Sequence, residues 1–200
     1  TRVGRSPLQR TAGRRRGRLG ALPRSIVDQS GESEQAHDWS VTATYPSLDE
    51  RGELVQEVVR QECMCDGGRH KQFRQQWVTA LGRRVRRKPA DFVPVLYRTP
   101  ELRAALAAGE VVWILEGEKD VDTAEQLGLV ATTNAQGGLS FPVECAEMFA
   151  GASVRVVLDR DDAGWARGVE LVSLLGAQNA HVQLLLPGTE EHKSDFTDHI

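Results

Sequence analysis

The sequence predicts an α/β fold for residues 111–200, a four-stranded parallel sheet with flanking helices, preceded at 39–109 by a small mixed α+β basic subdomain. Three observations predict it. Four short apolar runs, at 111–115, 129–133, 154–158 and 181–186, alternate with helix-length segments. The first, 111–115, is apolar throughout, as a strand buried on both faces would be. The first and third runs end abruptly in acids, EGEKD at 116–120 and DRDDAG at 159–164, where open α/β sheets build their sites. Charge also divides along the chain. Residues 51–110 carry twelve basic against seven acidic side chains, and residues 111–200 carry five against fifteen. A basic half beside an acidic half suggests a nucleic-acid-facing surface next to a cation-binding one.

Taken in order, the chain opens with an Arg-rich segment, 1–38, with eight Arg by position 24 and no acid before Asp28. Nothing in it is periodic, so it is expected to be disordered, either as a solvated linker or as a basic arm against phosphates. From 39 to 62, β-branched and aromatic residues flank Asp49-Glu50-Arg51-Gly52, which predicts two antiparallel strands, 41–45 and 54–60, joined by a turn. Residues 63–70 then read as a loop, and KQFRQQW at 71–77 with the run 83–88 as basic segments interleaved with aromatics. That interleaving can stack bases and hold phosphates, which makes Lys71, Arg74, Arg83, Arg84, Arg86, Arg87 and Lys88 candidate nucleic-acid contacts. A solvated basic loop with two core aromatics is the alternative reading. A helix is predicted over 99–108, with Thr99 as N-cap, Pro100 in the first turn and Gly109 after the end.

The alternation then begins. Helices are expected at 119–127, 142–149 and 163–175, the last with Trp165, Val169, Val172 and Leu175 on its packed face and Asp162 as its cap. No apolar run approaches the ~18 residues of a membrane span. No apolar stretch of the kind found in signal peptides follows the basic start. The three cysteines, Cys63, Cys65 and Cys145, do not suggest a disulfide framework and suit a reducing cytoplasm. Cys63-Met64-Cys65 with His70 lacks the spacing and the second ligand pair of a zinc site.

In a parallel sheet the carboxyl ends of the strands share one edge, so Glu116 and Asp120 should meet Asp159 and Asp161 there. Asp195, in KSDFTD after the fourth apolar run, reaches the same edge. Crowded carboxylates repel, and a hard divalent cation neutralises them most simply. Mg²⁺, with Mn²⁺ as a substitute, prefers few carboxylates together with phosphate oxygens, which points to phosphoryl chemistry.

The order of the acids is specific. ILEGEKD at 114–120, Gly137-Gly138 in a later loop and LDRDDAG at 158–164 resemble the three motifs of the Toprim domain, shared by bacterial-type primases, topoisomerases and some nucleases. With YPSLDERGELVQEVVRQE, KQFRQ and VLYRTPEL before them, the arrangement is similar to primase-like Toprim proteins of phages, plasmids and mobile elements. The resemblance implies a Rossmann-like Toprim sheet at 110–200 and a primase-like N-terminal subdomain at 39–109. It implies a primase-like nucleotidyltransferase core in DNA replication, with single-stranded DNA template and nucleoside triphosphates as partners and a replicative helicase as a possible one. It implies Asp159, Asp161, Asp120 and Asp195 as Mg²⁺ ligands and Glu116 as the residue that orients the metal or moves the proton. No zinc module and no helicase P-loop occur in these residues. Two further classes stay open, a Toprim nuclease using water as nucleophile and a non-catalytic nucleic-acid-binding fragment.

Overall fold

The computed structural model describes residues 38–65, 67–135, 141–188 and 194–200, all within the unit His37–Ile200. The Arg-rich segment 1–37, Gly137-Gly138 and Lys193 lie outside the described residues. Among the described residues no helix is long and apolar enough to cross a membrane.

The first half builds an antiparallel sheet from β1 (Ser40–Leu48), β2 (Leu54–Cys65), β3 (Gly68–Val78) and β4 (Arg84–Val85), in that order across the sheet. The turn after β1 forms because Asp49 Oδ1 accepts from the Arg51 and Glu53 amides, each at 2.9 Å, while Gly52 takes φ 79°. Two strands and a loop were expected here, and four strands are found. KQFRQQW is strand rather than loop. Its side chains alternate, with Lys71 and Phe73 exposed and Gln72 half-buried between them. β2 extends to Cys65 to meet it, pairing Arg60 with Phe73 and Glu62 with Lys71. The regular register outweighs the polar composition that suggested a loop.

After β4 an irregular stretch leads to α1 (Thr99–Ala108). Arg98, at φ 61°, is its N-cap; Thr99, expected there, is the first helical residue and donates Oγ1–H to the Leu96 carbonyl at 2.8 Å. Gly109 ends the helix at φ 72°.

The second half is the expected parallel sheet. Its strands are β5 (Val112–Ile114), β6 (Ala131–Thr132), β7 (Ser153–Val157) and β8 (His181–Leu185), in the order β6-β5-β7-β8. The connections run through α2 (Glu118–Gln126), then α3 (Val143–Ala146) continued by a 3₁₀ turn (Glu147–Phe149), then α4 (Asp162–Gly176). A short helix, α5 (Phe196–His199), closes the chain. The predicted single helix at 142–149 is thus a helical turn tightened into 3₁₀.

The sheet is covered on both faces, as its apolar strands require. One core joins Leu96, Leu102, Val112, Ile114, Phe149, Val154, Val156, Leu171 and Leu175. The other joins Leu115, Val121, Ala131 and Val157 to Tyr45 and Val58 of the antiparallel sheet, so the two sheets share a core. The Tyr45 and Tyr97 rings meet edge-on at 6.1 Å, and Gln75 of β3 donates to the Ala135 carbonyl at 3.1 Å across the same junction.

The packed face of α4 differs from expectation. Trp165 and Val169 are 51% and 67% exposed, and the helix buries Gly164, Arg167, Gly168, Leu171 and Leu175 instead. The glycines explain the choice. A Cβ on Gly164 would lie 2.4 Å from the Asp159 carbonyl oxygen, and one on Gly168 would lie 2.8 Å from Leu158 Cδ1. Only the glycine face lets the helix lie this close to the end of β7.

Candidate functional site

The order β6-β5-β7-β8 places the topological switch between β5 and β7. The chain leaves β5 toward one side for β6 and returns past it to β7. Loops leaving the carboxyl ends of two such strands diverge and open a crevice. Glu116 follows β5 and Asp159 follows β7, so both sit at that crevice. The parallel topology thus brings the ends of the two acidic motifs to one crevice.

Glu116 and Asp159 are joined by a side-chain hydrogen bond. Burial pushes Asp159 up to about 8, reinforced by the Glu116 charge and by that bond. Burial also raises Glu116, against the pull of the Arg167 guanidinium. At neutral pH the pair therefore keeps a proton between two carboxylates. Glu116 Oε2 is buried and has no hydrogen-bond partner among the described residues.

The other predicted acids are near but individually engaged. Asp120, in the first turn of α2, accepts from the Thr197 amide at 3.1 Å and from the Thr197 hydroxyl. Burial raises its pKa in spite of these donors. Asp195 caps α5 by accepting from the Asp198 amide at 2.8 Å, and it stands 3.9 Å from Lys119 Nζ. Asp161, not the expected Asp162, caps α4, its Oδ1 accepting from the Gly164 amide at 2.8 Å. Among the described residues no three His, Cys, Asp or Glu side chains converge on one ion-sized point.

That arrangement still fits magnesium. The ion keeps several waters and needs one or two carboxylates with substrate phosphates, rather than a closed protein cage. A cation in place of the shared proton would relieve the Glu116–Asp159 repulsion and satisfy Glu116 Oε2.

Two residues absent from the sequence-based list belong to the site. Arg167 is buried and donates through Nη2 to the Leu115 carbonyl at 3.0 Å and to Asn134 Oδ1 at 3.1 Å. It ties the ends of β5 and β6 to α4, and it is the positive charge beside Glu116. Its burial lowers its pKa. The sequence pattern gave no sign of it, because the glycine stripe around it is not apolar. Glu118 is 7% exposed, and burial pushes it up to about 7. An acid in a first helical turn ordinarily complements the helix dipole at the surface, which hid its burial.

Facing these acids is the antiparallel sheet. A cleft of about 430 Å³ is lined by Glu116, Glu118, Asp120, Asp159 and Asp195 on one wall and by Arg60, Lys71, Phe73 and Gln75 on the other. Arg60 lies over the Phe73 ring at 5.9 Å. Of the predicted nucleic-acid contacts only Lys71 lines this cleft. Arg74 and Arg86 line a groove with Val41, Val59 and Gln61, on the opposite face of the sheet. Arg84 is held by Glu57, at 2.5 and 3.0 Å. Lys88 lies 5.5 Å over the Phe92 ring, and Arg83 and Arg87 are exposed. A larger cleft, about 740 Å³, lies between the 49–51 turn and the start of α1; its charges are of mixed sign and it includes none of the acids at the switch point.

No protein-family model and no curated protein matches the sequence. Among solved structures, the chain is similar to a DNA primase domain from Pseudomonas aeruginosa, with a TM-score of 0.54 at 18% sequence identity. The match covers 75% of this chain and 44% of that one, so this chain spans less than half the length of the structure it matches. At that identity the likeness shows the fold alone: this chain resembles that primase domain in fold.

Proposed function

We propose that the chain is a primase-like, Mg²⁺-dependent nucleotidyltransferase core that acts on single-stranded DNA in DNA replication. The observation that supports this most is the meeting of two unlike surfaces across one cleft. Glu116 and Asp159 form one wall at the switch point of the sheet, and Arg60, Lys71 and Phe73 form the other. The first suits a cation with its phosphates, and the second suits bases and an anionic backbone. The Toprim-like order of EGEKD and DRDDAG and the likeness of fold to a DNA primase domain support the same reading.

In this reading Glu116 and Asp159 hold the ion, and Asp161 adds the carboxylate oxygen that its helix cap leaves over. The ion, when bound, neutralises charge on the triphosphate of the incoming nucleotide. Asp120 and Asp195, fixed by Thr197 and by the α5 cap, close the side of the cleft next to α2. Glu116 accepts the proton of the attacking hydroxyl, whose oxygen bonds to the α-phosphorus as pyrophosphate leaves. Arg167, bonded to the Leu115 carbonyl, favours the anionic form of Glu116 against the effect of its burial. Lys71 attracts the triphosphate, and Arg74, Arg83, Arg86 and Arg87 hold the template strand outside the cleft.

Primer synthesis on single-stranded DNA with nucleoside triphosphates and Mg²⁺ tests the reading. Product is expected from the wild type, with a loss of at least about a hundredfold in Asp159→Ala. Equal product from Asp159→Ala would sink it. Nicking of plasmid with Mg²⁺ and no nucleotide would assign the same carboxylates to a nuclease.

A further inference from the structure

Glu118 has no role in the chemistry above, yet it is buried in the cleft with an acceptor left unpartnered. It is 7% exposed and lines the cavity that Arg60 and Phe73 face. Its carboxylate accepts from its own backbone N–H, and Oε1 is left with no hydrogen-bond partner among the described residues. A buried acceptor without a donor is expensive, and one that opens onto a cavity is satisfied when a ligand brings the donor. The charges that act on it are those of Asp122, Arg167 and Asp120, and its own charge acts on the phenols of Tyr45 and Tyr97. Glu118 therefore stands between the acidic edge and the aromatic wall of the one cleft. On that wall Phe73 is 51% exposed with the Arg60 guanidinium beside it, a surface on which a base can stack.

A nucleotide with its phosphates at Glu116 and Asp159 and its base on Phe73 spans the cleft, and its sugar falls between. The cavity, about 430 Å³, has room for one such ligand. A sugar contributes hydroxyl donors and no charge, the group that an unpartnered carboxylate oxygen takes. We infer that Glu118 is a specificity-determining residue, its buried Oε1 accepting a hydrogen bond from a sugar hydroxyl of the bound nucleotide. This rests on the nucleotidyltransferase reading.

The test uses the full chain with Mg²⁺ and measures dissociation constants for ATP, 2′-deoxy-ATP and 3′-deoxy-ATP by calorimetry. The wild type is expected to bind one of the two deoxy analogues about tenfold more weakly than ATP, because a hydrogen bond to a charged group is lost. The analogue that suffers identifies the hydroxyl. In Glu118→Gln that ratio should fall severalfold while ATP itself still binds. Equal affinities for all three nucleotides in the wild type overturn the inference without any variant. An unchanged ratio in Glu118→Gln also overturns it, as does loss of the Mg²⁺ response in that variant, which would make Glu118 a metal ligand. A wild type that binds none of the three removes the nucleotidyltransferase reading itself, and this inference with it.

Discussion

The two sheets of this molecule use charge in opposite ways. The parallel sheet gathers a few carboxylates at one edge, buries them and fixes each through backbone. Asp159 is set by the end of β7 and Glu116 by the end of β5, and the Arg167 guanidinium is bonded to the Leu115 carbonyl just before Glu116. The antiparallel sheet spreads cations over both faces and leaves most of them in solvent, with Lys71 on one side and Arg74 on the other. Burial amplifies electrostatics, so a handful of groups suffices at the first site and their positions matter. Exposure weakens it, so contacts of the second sheet with an anion would count by number and tolerate loss. Changes at the acidic edge should accordingly be large and specific, and changes on the basic sheet small and cumulative.

The sharpest way to break that contrast is Gly164→Ala. Its Cβ would lie 2.4 Å from the backbone oxygen of Asp159, and backbone has little room to give. We expect a loss of about 2–3 kcal/mol in chemical denaturation, together with loss of primer synthesis as Asp159 moves. Full activity in a folded Gly164→Ala protein would mean that the position of Asp159 is not critical.

A smaller effect separates the faces of the antiparallel sheet. Lys71→Ala should lower catalysis severalfold by weakening nucleotide binding in the cleft. Arg74→Ala should leave nucleotide affinity unchanged and reduce the salt dependence of single-stranded DNA binding by about one unit of slope. Titrations of both variants against salt, with nucleotide and with DNA, check this. Identical behaviour of the two would show that the faces do not divide the work.

A further effect is on pH. Asp159 is raised to about 8 in the folded protein, above its ordinary carboxylate value. As pH rises from about 4, the unfolded chain releases this proton first while the folded chain keeps it. The folded state then binds more protons, so stability falls with rising pH until about 8 and levels off above it. Without divalent metal, the melting temperature should drop across that window, and Asp159→Asn should flatten the slope. A slope unchanged by Asp159→Asn would place the raised carboxylate elsewhere.

The same contrast decided what the sequence disclosed. The parallel sheet was legible because its strands are short apolar runs between helices, and its edge because acids break those runs abruptly. The order EGEKD then DRDDAG carried the pairing of Glu116 with Asp159, since topology brings the ends of β5 and β7 together. β3 was hidden because its alternation is between Lys71, Phe73 and Gln72, Arg74, in which neither face is uniformly apolar. The pairing with β2 depends on register, which a single strand does not display. The packed face of α4 was misread because glycines and a buried arginine do there what apolar side chains usually do, and Trp165, Val169 and Val172 supplied a false stripe. Glu118 and Arg167 were missed for a related reason. Charged residues are ordinarily placed in solvent, and only the three-dimensional structure shows which of them are enclosed.

The central claim is that Glu116 and Asp159 form a divalent cation site, and thermal unfolding during a Mg²⁺ titration tests it most directly. Binding to the folded state alone must raise its melting temperature with ion concentration. The account predicts a saturating upward shift for the wild type and none for Asp159→Asn, in which the carboxylate is gone and its shape remains. Equal shifts in the two proteins, or no shift in either, would contradict it.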